Sequence, residues 1–264
     1  QPFETPTSQY HKTMRYFITL AYCGARFNGW QIQPDAPSVQ ETLEQACSTI
    51  LRQPISITGC GRTDTGVHAR YYVAHFDAEG ELPERFLTGL NSILSDDIAV
   101  YGIRAMHPEA HARFDAYERS YVYHISLRKN PFATETAWYS PLNKYLQVDK
   151  MQEVADLLPL YNEFFPFCKT HSGVDSYACE LKTARWELLE AEHLLLFHIT
   201  ANRFLRGTVR LIVGACVQVS AGQIQLQEVQ SALDEQKSLK KSLSVPPQGL
   251  FLTEVRYPYE VFWG

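Results

Sequence analysis

The sequence has no surplus of positive charge. Its 24 lysines and arginines stand against 29 aspartates and glutamates, a formal net charge of −5 at pH 7. The strongly basic balance that commonly marks a nucleic-acid-binding domain is therefore missing from the chain as a whole. A local cleft can still carry a potential opposite in sign to the mean, so the deficit excludes no partner. Cys-x-x-Cys is absent: the six cysteines (Cys23, Cys47, Cys60, Cys168, Cys179, Cys216) are scattered over 264 residues. That pattern excludes a compact disulfide scaffold and leaves free thiols in a reducing compartment as the reading. A long apolar run is lacking too, since the longest, around Val209–Ala221, contains Arg210 and is too short to span a bilayer. No basic stretch followed by an apolar one opens the sequence, so a cytoplasmic protein with no membrane association is expected. What is present is ordinary globular material, 45% hydrophobic and 20% charged, long enough for one large α/β domain or two halves sharing an interface.

Residues 1–12, polar and with two prolines, read as a loose tail. Arg15–Ala21 is aromatic and β-branched and reads as a strand. Ser38-Val39-Gln40-Glu41 has capping-box spacing, and Val39, Leu43, Ala46 and Ile50 then recur at helical spacing, predicting a helix over 38–52. Short strands are expected at 56–60 and 71–77, a helix over 82–94, a strand over 98–106, and strand-rich chain over 114–127 with Tyr121 and Tyr123 on one face and Val122 and His124 on the other. The second part of the chain predicts a helix over 148–158 with Asp149 as a possible cap and a long loop over 164–177. Strands over 184–191 and 194–201, helices over 205–221 and 225–237, and a closing strand over 249–257 follow. Strands and helices mix without strict alternation. The fold class is therefore α+β, a mixed, largely antiparallel sheet, divided into an N-terminal half over 13–110 and a C-terminal half over 111–264.

The segment Gly61-Arg62-Thr63-Asp64-Thr65-Gly66-Val67-His68-Ala69 lies between two β-like stretches. Glycines and short polar side chains make it a tight turn that presents one carboxylate, Asp64, beside one guanidinium, Arg62. A close cation keeps a carboxylate ionised, and an ionised, poorly solvated carboxylate is a usable nucleophile or base. The same residues also suit an Asx turn in which Asp64 caps its own loop.

This segment resembles the signature of the bacterial TruA-type pseudouridine synthases, and the similarity runs further. It includes Tyr22-x-Gly24-x-x-Phe27-x-Gly29-Trp30-Gln31-x-Gln33, Ser38-Val39-Gln40-x-x-Leu43-Glu44, His111-Ala112-Arg113-Phe114 and Arg119-x-Tyr121-x-Tyr123. Later blocks are Ala201-Asn202-x-Phe204-Leu205, Val209-Arg210-x-Ile212-Val213-Gly214 and Gly249-Leu250-Phe251-Leu252, in the family's order from about Arg15 to Tyr257. The resemblance implies a cofactor-free, metal-free isomerase with two similar halves flanked by helices and an active-site cleft between them. It converts uridine to pseudouridine at positions 38, 39 and 40 of the tRNA anticodon stem-loop, as a homodimer. It makes Asp64 the catalytic carboxylate, Tyr121 the ring that stacks on the flipped base, Arg210 the partner of Asp64, and Arg62 the side chain that fills the vacated space. His68, Arg113 and Arg119 stand as substrate-binding candidates on the same grounds. Such a reaction requires the base to leave its stack, because the target atoms are inaccessible in a helix.

Each of these residues also has an ordinary reading. Tyr121 suits cross-strand packing, a lone Arg210 in an apolar helix snorkels unless a carboxylate meets it, and His68 reads as structural. Arg26, Arg70, Arg113, Arg119, Arg128, Lys129, Lys169, Arg203 and Arg206 are candidates for phosphate contacts and individually ordinary surface charges. His107-Pro108-Glu109-Ala110-His111 lacks the helix and the Glu position of a zincin motif. One departure from the family stands close to Arg210: Arg206-Gly207-Thr208 replaces bulkier residues, and a helical glycine there would cost about 1 kcal/mol. Asn162-Glu163-Phe164 also stands where an Asp-Phe pair is more usual. Two rival readings are a tRNA-binding or RNA-folding helper without catalysis and a metal hydrolase built on His107 and His111.

Overall fold

Aromatic and β-branched side chains carry the chain into a long first strand, Thr13–Tyr22 (β1), in the computed structural model, which describes residues 12–169 and 176–261. The expected tail falls almost wholly outside the described residues. The first helix, Val39–Leu51 (α1), starts where the capping signal puts it: Ser38 Oγ accepts the Glu41 amide at 3.2 Å. Its buried face is Val39, Leu43, Ala46 and Cys47, one stripe at helical spacing.

The remaining strands are Ile57–Gly59 (β2), His68–Glu79 (β3), Ile98–Met106 (β4), Glu118–Ser126 (β5), Trp138–Tyr139 (β6), Leu181–Leu189 (β7), Leu194–Ala201 (β8) and Leu250–Arg256 (β9). They form one nine-stranded sheet in the order β4-β1-β3-β9-β5-β8-β7, with β2 on β3 and β6 on β5. Pairing is antiparallel except for β5 with β6 and for a short parallel contact between β3 and β9, His68 opposite Phe251 and Ala69 opposite Leu252. The helices Phe86–Ile93 (α2), Val148–Leu157 (α3), Thr208–Ser220 (α4) and Leu226–Glu235 (α5) complete an α+β fold with a mixed, largely antiparallel sheet.

Two apolar clusters lie along this sheet. One gathers Phe17, Leu43, Tyr72, Phe76 and Leu90 around β1, β3, α1 and α2. The other gathers Tyr123, Phe164, Phe197, Ile212 and Val229 around β5, β8 and the later helices. Each fully buried side chain of this size contributes roughly 1.5–3 kcal/mol. Ala69 belongs to the first cluster and Val67, two residues earlier, to the second. The chain leaving the 61–67 loop therefore bridges both cores.

Several boundaries differ from the sequence expectation. The helix expected over 82–94 is only Phe86–Ile93, because Pro83 opens a turn closed by the Phe86 amide on the Pro83 carbonyl at 2.9 Å. Asp149 does not cap α3: Gln147 holds the cap position and Asp149 sits in the first turn, where its charge suits the helix dipole. The apolar helix expected from 205 begins at Thr208. The loop expected over 164–177 contains a 3-10 turn at Phe165–Phe167 and is closed at its base by a bridge between Glu163 and Ala178, and residues 170–175 lie outside the described residues.

Candidate active site

The loop 61–67 is clamped from three sides before its side chains are considered. At its entrance the Cys60 amide donates to the Val73 carbonyl at 2.8 Å, and the Tyr72 hydroxyl donates to the Gly61 carbonyl. At its tip the Trp30 amide donates to the Thr63 carbonyl at 3.3 Å, and Tyr22 and Thr63 join hydroxyls at 2.8 Å. At its exit the Gly66 amide donates to the Phe27 carbonyl at 3.3 Å and the Val67 amide to the Asp64 carbonyl at 3.1 Å. Trp30 stacks on Tyr72 with ring centroids 4.1 Å apart, and both are buried. Gly29 makes this approach possible: at φ 87° it sits in the left-handed region, and a Cβ there would lie 2.3 Å from the Thr63 carbonyl oxygen. The family block Gly29-Trp30 is thus the floor on which Asp64 stands.

The Asp64 side chain is a quarter exposed and faces three cations. Arg210 Nη1 lies 3.5 Å from Oδ2, Lys169 Nζ 3.6 Å from the same oxygen, and Arg206 Nε 3.8 Å from Oδ1. Among the described residues no hydrogen bond reaches the carboxylate, so the Asx-turn alternative does not apply. Attraction across such distances is of order 5 kcal/mol before the cost of desolvation, with an effective dielectric constant near 20. Arg210 is held by a clasp of its own: its Nε donates to the Val245 carbonyl at 2.7 Å, and the Val245 amide returns a bond to the Arg210 carbonyl at 3.3 Å. It lies on the first turn of α4.

Tyr121 stands on β5 just past a bulge between Ser120 and Tyr121, beside β9. Its ring meets Phe204 edge-on, with centroids 5.2 Å apart. Burial pushes its phenol well above the usual tyrosine range, and the Asp64 charge adds to the rise while Arg119 opposes it. The phenol is therefore neutral at physiological pH and keeps its hydrogen for hydrogen bonding.

The other candidates separate sharply. Arg62, within the loop, is exposed. Arg113 is also exposed, its guanidinium 5.7 Å from the centre of the exposed Phe114 ring. Arg119 turns inward. Its Nη1 donates to Ala116 and Asn202 carbonyls at 2.7 and 3.1 Å, and its Nη2 to Cys60 and Arg113 carbonyls at 3.0 and 2.9 Å. With both amino groups so committed it ties the loop entrance to β5. His68 is likewise a strut: its Nδ1 accepts the Gly24 amide at 2.9 Å, its Nε2 faces the Gln248 carbonyl at 3.1 Å, and its ring stacks on Phe251. Burial lowers its pKa, so it stays neutral, and it is 1% exposed and closed to substrate. The departure at Gly207 has a local cause. Gly207 is not inside the helix but at its N-cap, with φ 77° and ψ 0°, so the expected helical penalty does not arise. Lys169 was one of many basic residues in the sequence. Only the folded course of the chain after Phe167 brings it to Asp64.

His107 and His111 do not form a metal pair of zincin type. The Nδ1 of His111 accepts the Arg113 and Phe114 amides, each at 3.1 Å, and that of His107 accepts the Glu109 amide at 3.3 Å. No group of three or more histidine, cysteine or acidic side chains suited to a metal occurs among the described residues. All six cysteines are free thiols.

Comparison with known proteins places this geometry in a family. The family model for tRNA pseudouridine synthase matches residues 162–258, the part that carries Arg210. Over nearly the whole chain the protein is similar to the tRNA pseudouridine synthase A of Porphyromonas gingivalis, 42% identical over 251 residues that cover 94% of this chain and 99% of the relative. The protein of the same name from Bacteroides fragilis is 42% identical over 94% of this chain and 98% of its own length. That of Neisseria meningitidis serogroup B is 37% identical over 92% of both. The cation-ringed aspartate, the partly buried tyrosine on β5 and above all this identity along the chain lead to one conclusion: the protein belongs to the tRNA pseudouridine synthase family.

Proposed function

We propose that this protein isomerises uridine to pseudouridine at positions 38, 39 and 40 of the tRNA anticodon stem-loop, with Asp64 as its catalytic carboxylate. The observation that carries the assignment is the state of that side chain: it is held by charge from three cations, yet its oxygens accept no hydrogen bond from the described residues. A carboxylate fixed in direction but with free lone pairs is ready to meet an electrophilic carbon, C1′ of the ribose or C6 of the uracil. The isomerisation breaks the N1–C1′ bond and forms a C5–C1′ bond. The C5 hydrogen leaves as a proton and N1 gains one, so nothing is oxidised and no water is consumed.

Tyr121, its ring fixed by Phe204, is the surface on which the flipped uracil stacks, an interaction indifferent to base identity. Its neutral phenol can donate a hydrogen bond to the turning base. Arg62, exposed beside Asp64, is suited to the space that the base vacates. Arg206, Arg203, Arg113, Arg128 and Lys129 are exposed and suited to phosphates. A homodimer that clasps one tRNA between subunits is part of the same proposal and is checked by light scattering with and without tRNA. No helix among the described residues is long and apolar enough to cross a membrane.

Tritium release from tRNA labelled at uridine C5 tests the assignment, because forming the C1′–C5 bond expels that hydrogen. Wild type should release label from tRNAs with uridine at 38, 39 or 40, while Asp64→Asn should release none and bind tRNA nearly as well. Substantial turnover by Asp64→Asn would overturn the role given to Asp64.

A further inference from the structure

Arg210 is one of three charges on Asp64, and the other two have received no role in the reaction. Lys169 approaches from the segment after the Phe165–Phe167 turn, a different stretch of chain from α4. Its amide donates to the Arg206 carbonyl at 3.1 Å, which fixes its backbone against the start of that helix. From there the side chain crosses residue 207. A Cβ on Gly207 would lie 2.8 Å from Lys169 Cγ, 2.9 Å from Cε and 3.0 Å from Cδ. The lysine stem thus occupies the space a side chain at 207 would take, and any such side chain would have to displace it. The ammonium ends 3.6 Å from Asp64 Oδ2, with a third of the lysine side chain exposed.

We propose that Lys169, seated across Gly207, is a positioning residue that holds the Asp64 carboxylate in its reactive direction. The inference rests on the reading of Asp64 as the catalytic group. Arg210 and Lys169 face the same oxygen, Oδ2, at 3.5 and 3.6 Å from different elements, and Arg206 faces Oδ1 at 3.8 Å. One cation leaves a carboxylate free to swing about its Cα–Cβ bond, whereas two on one oxygen fix that oxygen and leave Oδ1 to the looser, more exposed Arg206. All three lie beyond normal hydrogen-bond length, so direction is imposed without capping the lone pairs. The lysine is suited to this task because its ammonium is a point charge that requires no planar fork. Gly207 is thereby the seat of Lys169.

The experiment measures single-turnover tritium release at saturating enzyme, together with tRNA affinity, for four variants. Lys169→Met keeps the stem and removes the charge; its rate should fall on the order of tenfold while tRNA affinity stays within about twofold. Lys169→Arg should recover most of the rate. Gly207→Ala, with the lysine intact but displaced, should resemble Lys169→Met in rate and retain cooperative thermal unfolding. An unchanged rate in Lys169→Met overturns the proposal. A loss that appears only as weaker tRNA binding, with the saturating rate preserved, also overturns it and makes the lysine a phosphate contact. Asp64→Asn is the reference. If it is inactive while Lys169→Met is fully active, the lysine inference alone fails; if it turns over, the reading of Asp64 fails and the lysine inference with it.

Discussion

At the scale of single residues, the site distinguishes charge from geometry. Arg210 contributes both, since its Nη1 faces Asp64 while its Nε is spent on the Val245 carbonyl. Lysine in its place would keep a positive charge but lose the fork that serves two partners at once. Arg210→Lys is therefore expected to lower single-turnover tritium release by at least about tenfold without loss of folding, read by rate and by circular dichroism. A rate within twofold of wild type would mean that charge alone suffices. Arg119 and His68 show the limit of residue identity as a guide. Both stand in the motif blocks, yet both spend their polar atoms on backbone groups at the loop's edges. A basic or imidazole side chain in a motif looks the same in sequence whether it touches substrate or supports the residue that does. Only the count of carbonyls within reach separates the two, and that count is set by the folded backbone.

At the scale of elements, the loop carrying Asp64 depends on the floor beneath it. Gly29 combines a positive φ with a 2.3 Å approach of any added Cβ to the Thr63 carbonyl oxygen. Gly29→Ala should cost about 1–3 kcal/mol in urea unfolding and, by shifting Thr63, should depress activity more than its stability loss accounts for. An alanine variant of full activity would show that the loop is not braced through residue 29. The helices and strands themselves were largely legible in the sequence, because period and caps are local properties: Ser38 with its helix and the Leu194–Ala201 strand follow from spacing alone. The shortening of α2 follows from Pro83, a local signal outweighed by the apolar run after it. What was not legible depends on neighbours distant in sequence. Asp64, Tyr121 and Arg210 stand out through their motif blocks, whereas Lys169 carries no local signature. Gly207 could only be flagged as unusual, because the stem it accommodates comes from 38 residues earlier.

At the scale of the whole molecule, a net charge of −5 coexists with a site at which Lys169, Arg206 and Arg210 converge. The mean charge therefore says little about the partner, and association should weaken as salt screens the local field. The two cores also share a response to acid. His75, beside Phe17 and Arg15, and His124, stacked on Phe251 beside Arg70, are each pushed down to about 4, chiefly by burial. Their folded pKa lies below the unfolded value, so their contribution to stability is full above about pH 6.5 and is lost as pH falls toward 4. Allowing for residual hydration, roughly 3 kcal/mol for the pair should disappear across that window. Melting temperature measured from pH 7 to 4.5 should fall accordingly, and a double His75→Gln, His124→Gln variant should flatten the slope. A wild-type curve with no decline would remove the histidines from the account. The strand order has a consequence in time. β9 lies between β3 and β5, yet it follows every other strand in the sequence. As the chain emerges from a ribosome, the two flanking edges wait exposed until residues 250–256 arrive to join them. Closure of the sheet between its two cores thus waits on a strand that follows the other described ones, and a translation product stalled short of it would be left with two open edges.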